Sequence, residues 1–396
     1  MGRPVEVVTH LLIIKSYLKM KVNHILLSAL LLSSMVSCDG NDIAPEVPDT
    51  PEQPTEGYQF TFGGSTYTDE EATRASWTDA STTDKNKLIF GWDYTDKSNP
   101  TYEMKMAFLD AQGTPLTSTK GQNYSDITIL KHSTKADDSH WAEFETVERY
   151  SNPLKTYDGH TLIAVNGKSS TVQTSPFAMQ LAMPNTFTQQ AANSLAHLSD
   201  YMYMYATATI KNGDATGLQF KHLTAPVRFR IHNWRPCEAK IYSVEMSVAD
   251  NGSLTSSTVS VASNGPAYSS TNTHSAIAVK AADNAYFSIA ERSKKEYIDL
   301  YAHVLPLSND NSLEGKTLQF TLQANDIVTG EEKVEYLTLD NITAEAFYKA
   351  TGSYNWKAGD LYTFHIYLDD AIKEIKIESV SIKDWVNEDL GESETI

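Results

Sequence analysis

Cysteine is nearly missing from this 396-residue chain: Cys38 and Cys237 are the only two, with 198 residues between them. That scarcity argues against a disulfide framework, a metal-binding cysteine pair or a redox CxxC motif. Basic residues are also few, with 32 Lys and Arg against 50 Asp and Glu and a net charge of −18. Nucleic acid is therefore not an expected partner, because affinity for phosphates comes from many Lys and Arg contacts that release counterions. The longest apolar run, residues 25–36, falls short of the roughly 20 residues that span a bilayer. There is no G-x-S-x-G elbow, no G-x-x-x-x-G-K-[ST] loop, no H-E-x-x-H and no EF-hand loop, so the local scaffolds for nucleophile activation, phosphate cradling and metal catalysis are missing. No catalytic residue, metal or cofactor is expected. No fixed-period repeat is visible, which argues against a propeller or a solenoid.

What the chain does have is β-forming residues, including 21 Tyr and 13 Phe. From Tyr58 onward the hydrophobic period is two. It is readable at 58–62, 102–106, 227–231, 297–301 and 318–322, each bounded by Gly, Asn, Asp or Pro. Helical patterns are confined to residues 186–198, capped by Asn185, and a short turn near 344–350. Many short strands with almost no intervening helix predict an all-β fold of antiparallel sandwiches. Asn212-Gly-Asp-Ala-Thr-Gly217 separates two strand-rich halves, predicting domains at 57–216 and 217–396.

The N-terminus reads as an export signal. Lys19, Met20 and Lys21 precede the apolar run, and Met35-Val36-Ser37-Cys38 follows it, the charged, apolar, small-residue order of a secretory leader. A small residue before Cys resembles a bacterial lipobox, with Cys38 acylated as the first mature residue. Residues 1–37 are expected to be removed, and Met20 gives the more conventional start. Removal takes four basic residues and one acid, leaving 28 basic against 49 acidic, a net charge of −21. Residues 38–56 carry Pro45, Pro48, Pro51 and Pro54 with six acids and no base. Such a segment cannot bury apolar surface and favours extended polyproline II, so it reads as a disordered tether.

Candidate site residues carry competing readings. Asp137-Asp138 and Asp369-Asp370 supply paired carboxylates, yet adjacent strand residues point to opposite faces and cannot flank one bond. His222 has no second His or Cys near it in sequence and reads as structural. Tyr201, Tyr203 and Tyr205 would share one strand face. That stripe could stack on a sugar, although core packing is its commoner fate.

Four separated segments resemble the fimbrillin family of Bacteroidetes, the FimA- and Mfa-like pilin lipoproteins. They are the lipobox at Cys38, Ala72-Thr-Arg74-Ala-Ser-Trp77, Phe220-Lys-His222-Leu-Thr-Ala-Pro-Val227, and Tyr354-Asn-Trp356-Lys-Ala-Gly359-Asp-Leu-Tyr362 followed by Ile382-Lys-Asp-Trp385. Around Trp92-Asp93 the match is loose, because the family often has Trp followed by Gly-Asp there. The resemblance implies two transthyretin-like β-sandwich domains, a palmitate-bearing lipoprotein reaching the outer membrane through Cys38, and assembly with other pilin subunits into an adhesive surface pilus. It also implies an arginine-specific or trypsin-like protease that removes the lipidated segment. Arg74 is the only basic residue between Cys38 and Asp84, so cleavage would leave Ala75 as the new terminus and carry away the first strand.

The C-terminal stretch carries Ile375 and Ile377 on odd positions, then Val380 and Ile382 on even ones. This predicts a bulge or a break into two short strands. Alternating Ile and Val suit a donor strand, whose backbone supplies hydrogen bonds and whose side chains fill a neighbour's pockets. The same strand could instead close its own domain. Two other roles stand beside the pilus subunit: an uncut anchor subunit, and a lipid-anchored glycan- or protein-binding module using the tyrosine stripe.

Overall fold

Period-two alternation is realised as strands through most of the chain. The computed structural model describes residues 57–66, 78–79, 88–89, 104–132, 141–167, 171–174, 176–215, 218–249, 252–283, 285–292, 296–325, 334–339, 341–368 and 373–381. Among these the fold is all-β and mostly antiparallel, with one α-helix.

Seven strands close a barrel in the order Thr61–Thr66, Leu218–His222, Met204–Thr209, Thr161–Asn166, Met104–Leu109, Ser125–His132 and Trp141–Thr146. The sheet closes on itself because Thr61–Thr66 pairs parallel to Leu218–His222 and antiparallel to Trp141–Thr146. Met204–Thr209 and Leu218–His222, which flank the expected boundary in sequence, pair with each other in the barrel. Thr171–Thr174 and Phe177–Ala182 join Thr258–Ala262 and Gly265–Tyr268 in a four-stranded sheet. Strand pairing therefore crosses from one half of the chain to the other.

Most of the remaining strands form two facing sheets. One follows the order Thr186–Gln189, Ala276–Ala281, Ala239–Val248, Thr317–Asn325 and Val334–Thr338. The other follows Tyr297–Val304, Ala225–Asn233, Asp360–Leu368 and Lys373–Ser381. Alternation decides what each face of the second sheet does. Phe229, Ile231, Leu300, Phe364 and Ile366 are fully buried on one face, where Phe364 meets Phe320 of the first sheet with ring centroids 5.2 Å apart. The other face carries Arg228, Arg230, Asp299 and Thr363. These polar groups are tolerated in the interior because they bond one another. Arg230 makes a two-pronged ion pair with Asp299, both contacts 2.8 Å, and Arg228 Nε donates to Thr363 Oγ1 at 3.0 Å.

The helix expected near 344–350 is present as Ala344–Thr351. Thr343 caps it by accepting from the Ala346 amide, and Gly352, at φ 69°, ends it in the left-handed conformation that glycine adopts without strain. The helix expected over 186–198 is absent. Thr186–Gln189 is instead a strand parallel to Ala276–Ala281, and a 3-10 helix follows at Ala196–Tyr201. The alternating burial of Phe187 and Gln189 outweighs a weak helical period.

Candidate functional site

The first strand is a central stave of the barrel, with a neighbour on each side. Thr61–Ser65 pairs with Trp141–Glu145 in register, while Gly64, Ser65 and Thr66 face Leu218, Gln219 and Phe220. Upstream, Tyr58 and Tyr150 exchange two backbone hydrogen bonds of 2.8 Å. Phe60 and Phe62, two residues apart, are each 2% exposed. Phe60 stacks on Tyr150 at 4.7 Å and meets Phe108 edge-on at 5.3 Å, and Phe62 reaches Phe108 at 5.7 Å. Burying two phenyl groups this completely stabilises the barrel by about 3–6 kcal/mol. Gly57 permits the entry, since its φ is 86° and a Cβ there would meet the Tyr150 carbonyl oxygen at 2.9 Å.

The terminal strand Lys373–Ser381 lies at the edge of the second sheet and pairs antiparallel with Asp360–Leu368. Ile375 stands opposite Ile366, Ile377 opposite Phe364 and Val380 opposite Leu361, in one unbroken register. The expected bulge or break is therefore absent. Its apparent cause, the change from odd to even apolar positions, has another origin. Leu361, Tyr362, Thr363 and Phe364 are buried in succession, so this end of the sheet is covered on both faces and an apolar residue suits either one. Ile382, Cys38, Arg74 and Ala75 lie outside the described residues. So do both aspartate pairs.

The three tyrosines do not lie on one strand. Tyr201 ends the 3-10 helix, Tyr203 precedes the next strand, and only Tyr205 lies on Met204–Thr209. Tyr203 is wholly buried and its hydroxyl donates to the Ala182 carbonyl, while Tyr201 packs edge-on against Phe187. The odd numbering suggested one face, but the strand begins only at Met204.

Two of the quoted motifs, more than a hundred residues apart, meet in space. The Gly359 amide donates to the Thr224 carbonyl at 2.9 Å, and Gly359 lies against the His222 ring, where an added Cβ would be 3.6 Å from Cδ2. Trp356 is 2% exposed and donates its indole N–H to the Leu254 carbonyl at 2.7 Å. Asn355 holds both the amide and the carbonyl of Leu307, and the Tyr362 hydroxyl accepts from the Lys357 amide at 2.8 Å. These residues form a joint between segments far apart in the chain.

Histidines cluster on the polar side of the second sheet, a feature that sequence reading missed because its members are far apart in the chain. His232 Nε2 and His365 Nδ1 are 3.2 Å apart on adjacent strands, and Tyr367 stacks on His232 at 4.6 Å. Burial first, then His365 and Arg230, lower the pKa of His232 to about 4, against a smaller opposing pull from Asp299. Burial alone lowers His222 to about 4. Burial, with help from His197 and His222, lowers His303 to about 3.

No protein-family model and no curated protein matches the chain. Among solved structures, a Bacteroides ovatus protein described as a candidate cell adhesion protein is similar at 11% identity and TM-score 0.42, covering 83% of this chain and 98% of that one. A fimbrial protein from Bacteroides vulgatus is similar at 10% identity and TM-score 0.40, covering 72% and 93%. The tip fimbrial protein Mfa3 from Porphyromonas gingivalis, with a C-terminal truncation, is similar at 9% identity and TM-score 0.35, covering 82% and 100%.

Proposed function

We propose that this chain is a structural subunit of an adhesive cell-surface pilus of the fimbrillin type. It is exported as a lipoprotein on Cys38, cleaved after Arg74 and polymerised through its C-terminal strand. It catalyses no reaction, and its partners are other pilin subunits, the outer-membrane lipid and an arginine-specific or trypsin-like protease. The observation that carries this reading is the position of the first strand. Everything upstream of Arg74 includes Thr61–Thr66, whose removal would strip ladder partners from Trp141–Thr146 and from Leu218–His222. Two phenyl-sized pockets, two residues apart along the strand, would open onto Phe108 and Tyr150. Refilling them requires an extended segment with apolar residues at i and i+2. Ile375 with Ile377, and Val380 with Ile382, each meet that requirement.

The test is Arg74→Ala in cells that make the native protein. A single charge lost outside any described packing is expected to change stability by no more than about 0.5 kcal/mol, while SDS-resistant polymers disappear from immunoblots of surface extracts. Normal polymers from Arg74→Ala cells would contradict cleavage at this residue. Uncut, lipidated protein at the base of otherwise normal pili would instead assign the anchor role.

A further inference from the structure

A strand at the end of a sheet presents every second residue's N–H and C=O outward, a template for pairing with another chain. Tyr297–Val304 is such a terminal strand, with Ala225–Asn233 on its inner side. Its outward backbone groups at Asp299 and Tyr301 are nevertheless all engaged, chiefly by side chains and by no strand paired with this edge. The Asp299 amide donates to Asn193 Oδ1 at 2.7 Å. The Asp299 carbonyl accepts from the Asn193 amide at 3.0 Å and from Gln189 Nε2 at 3.2 Å. The Tyr301 amide donates to Gln189 Oε1 at 3.0 Å, and the Tyr301 carbonyl lies 2.8 Å from His197 Nε2. Since a carbonyl only accepts, His197 must carry its proton on Nε2.

The Gln189 side-chain amide copies a peptide group. In a parallel ladder one residue of the neighbouring strand donates to the carbonyl of residue i and accepts from the amide of residue i+2, and Gln189 does this to Asp299 and Tyr301. It is wholly buried, sits at the end of Thr186–Gln189 and also donates to the Ala191 carbonyl at 2.8 Å. Asn193 adopts φ 62°, the left-handed conformation that asparagine tolerates better than most residues.

We infer that Gln189, Asn193 and His197 form an edge lock, a counterfeit strand that stops Tyr297–Val304 from accepting a strand of a second copy of this chain. The same sheet ends on its other side in Lys373–Ser381, whose outer edge has no strand partner among the described residues. The lock makes the sheet one-sided: strand addition by another molecule is blocked at Tyr297–Val304. This holds whether or not the protein is a pilin, because an unguarded edge invites association in any β protein.

The test is the double variant Gln189→Leu with Asn193→Gly, which removes the side-chain acceptors while keeping size at 189 and the left-handed backbone at 193. Hydrogen exchange should show the Asp299 and Tyr301 amides exchanging at least about a hundredfold faster in the dilute monomer. Light scattering should show association as concentration rises, with both amides slow again in the associated form. A variant that stays monomeric at concentrations where the parent is monomeric would overturn the inference, as would association that leaves these two amides fast. If the double variant does not fold, as judged by near-ultraviolet circular dichroism, Asn193→Gly alone carries the same two outcomes for the Asp299 amide.

Discussion

A chain that begins at Ala75 is expected to be unstable as an isolated monomer and to regain stability when a peptide of residues 372–385 is added. Deleting the first strand removes Phe60 and Phe62 from a core in which each is 2% exposed, and a Phe truncated to Ala in such a site typically costs 3–5 kcal/mol. Two such losses, with broken ladders on both flanks, come to roughly 6–10 kcal/mol, which is comparable with the whole stability of a domain. The peptide offers Ile375 and Ile377 at the spacing of the two vacated pockets. At a hundred times its dissociation constant it should restore about 2.7 kcal/mol by mass action. Thermal melts of the Ala75 chain with and without peptide measure both effects, and a peptide with Ile375→Asp and Ile377→Asp is expected to do nothing. An Ala75 chain that melts like the parent would show that the first strand does not fill a groove.

Acid is expected to begin destabilising the protein at a pH well above that at which carboxylates titrate. His222 and His232 are held to about 4 and His303 to about 3, against about 6.5 for an exposed imidazole. The sign follows from linkage. Below pH 6.5 the unfolded chain takes up protons that the folded chain refuses, so stability falls with pH until the folded values are reached. Each histidine contributes a slope of about 1.4 kcal/mol per pH unit. Three acting together give roughly 4 kcal/mol per unit between pH 6 and 4. The full loss, on the order of 10 kcal/mol by the time the folded values are reached, is comparable with the whole stability of an ordinary domain, about 5–15 kcal/mol. Denaturant melts from pH 7 to pH 3.5 read the slope directly, and His303→Gln and His232→Gln variants that still fold should each flatten it by about one third. A stability that is level between pH 6.5 and 4.5 would show that these rings are not held neutral by the fold.

The strands were legible because burial on one face writes a period of two into the chain. All five quoted alternations overlap a described strand or run into one, and Val227, Phe229 and Ile231 show the rule at its plainest. Three features were not legible, each for a physical reason. The segment around Thr186–Gln189 looked helical because it is short and polar, and only its parallel pairing with Ala276–Ala281, a contact far away in sequence, fixes it as a strand. The terminal strand looked broken because parity reports which face is apolar only where one face is wet. Near Leu361 both faces are covered, so Val380 can follow Ile377 without a bulge. The tyrosine stripe assumed a strand that starts three residues too early. The joint between Thr224 and Gly359, the His232–His365 pair and the edge lock of Gln189 and Asn193 are all made by residues distant in the chain, and no local pattern encodes them. The role of Gln189 in particular comes from a side-chain amide standing in for a peptide, which looks in sequence like any other glutamine.

Under the proposed function, the segment before Arg74 is removable and its slot is the site of assembly. This is tested by the N-terminal sequence and intact mass of the protein isolated from membranes and surface extracts of cells that make it, alongside palmitate-labelled material. The expected result is a chain that begins at Ala75, carries no lipid and is recovered in SDS-resistant polymers. A chain recovered only with acylated Cys38 at its start, outside any polymer, would contradict it.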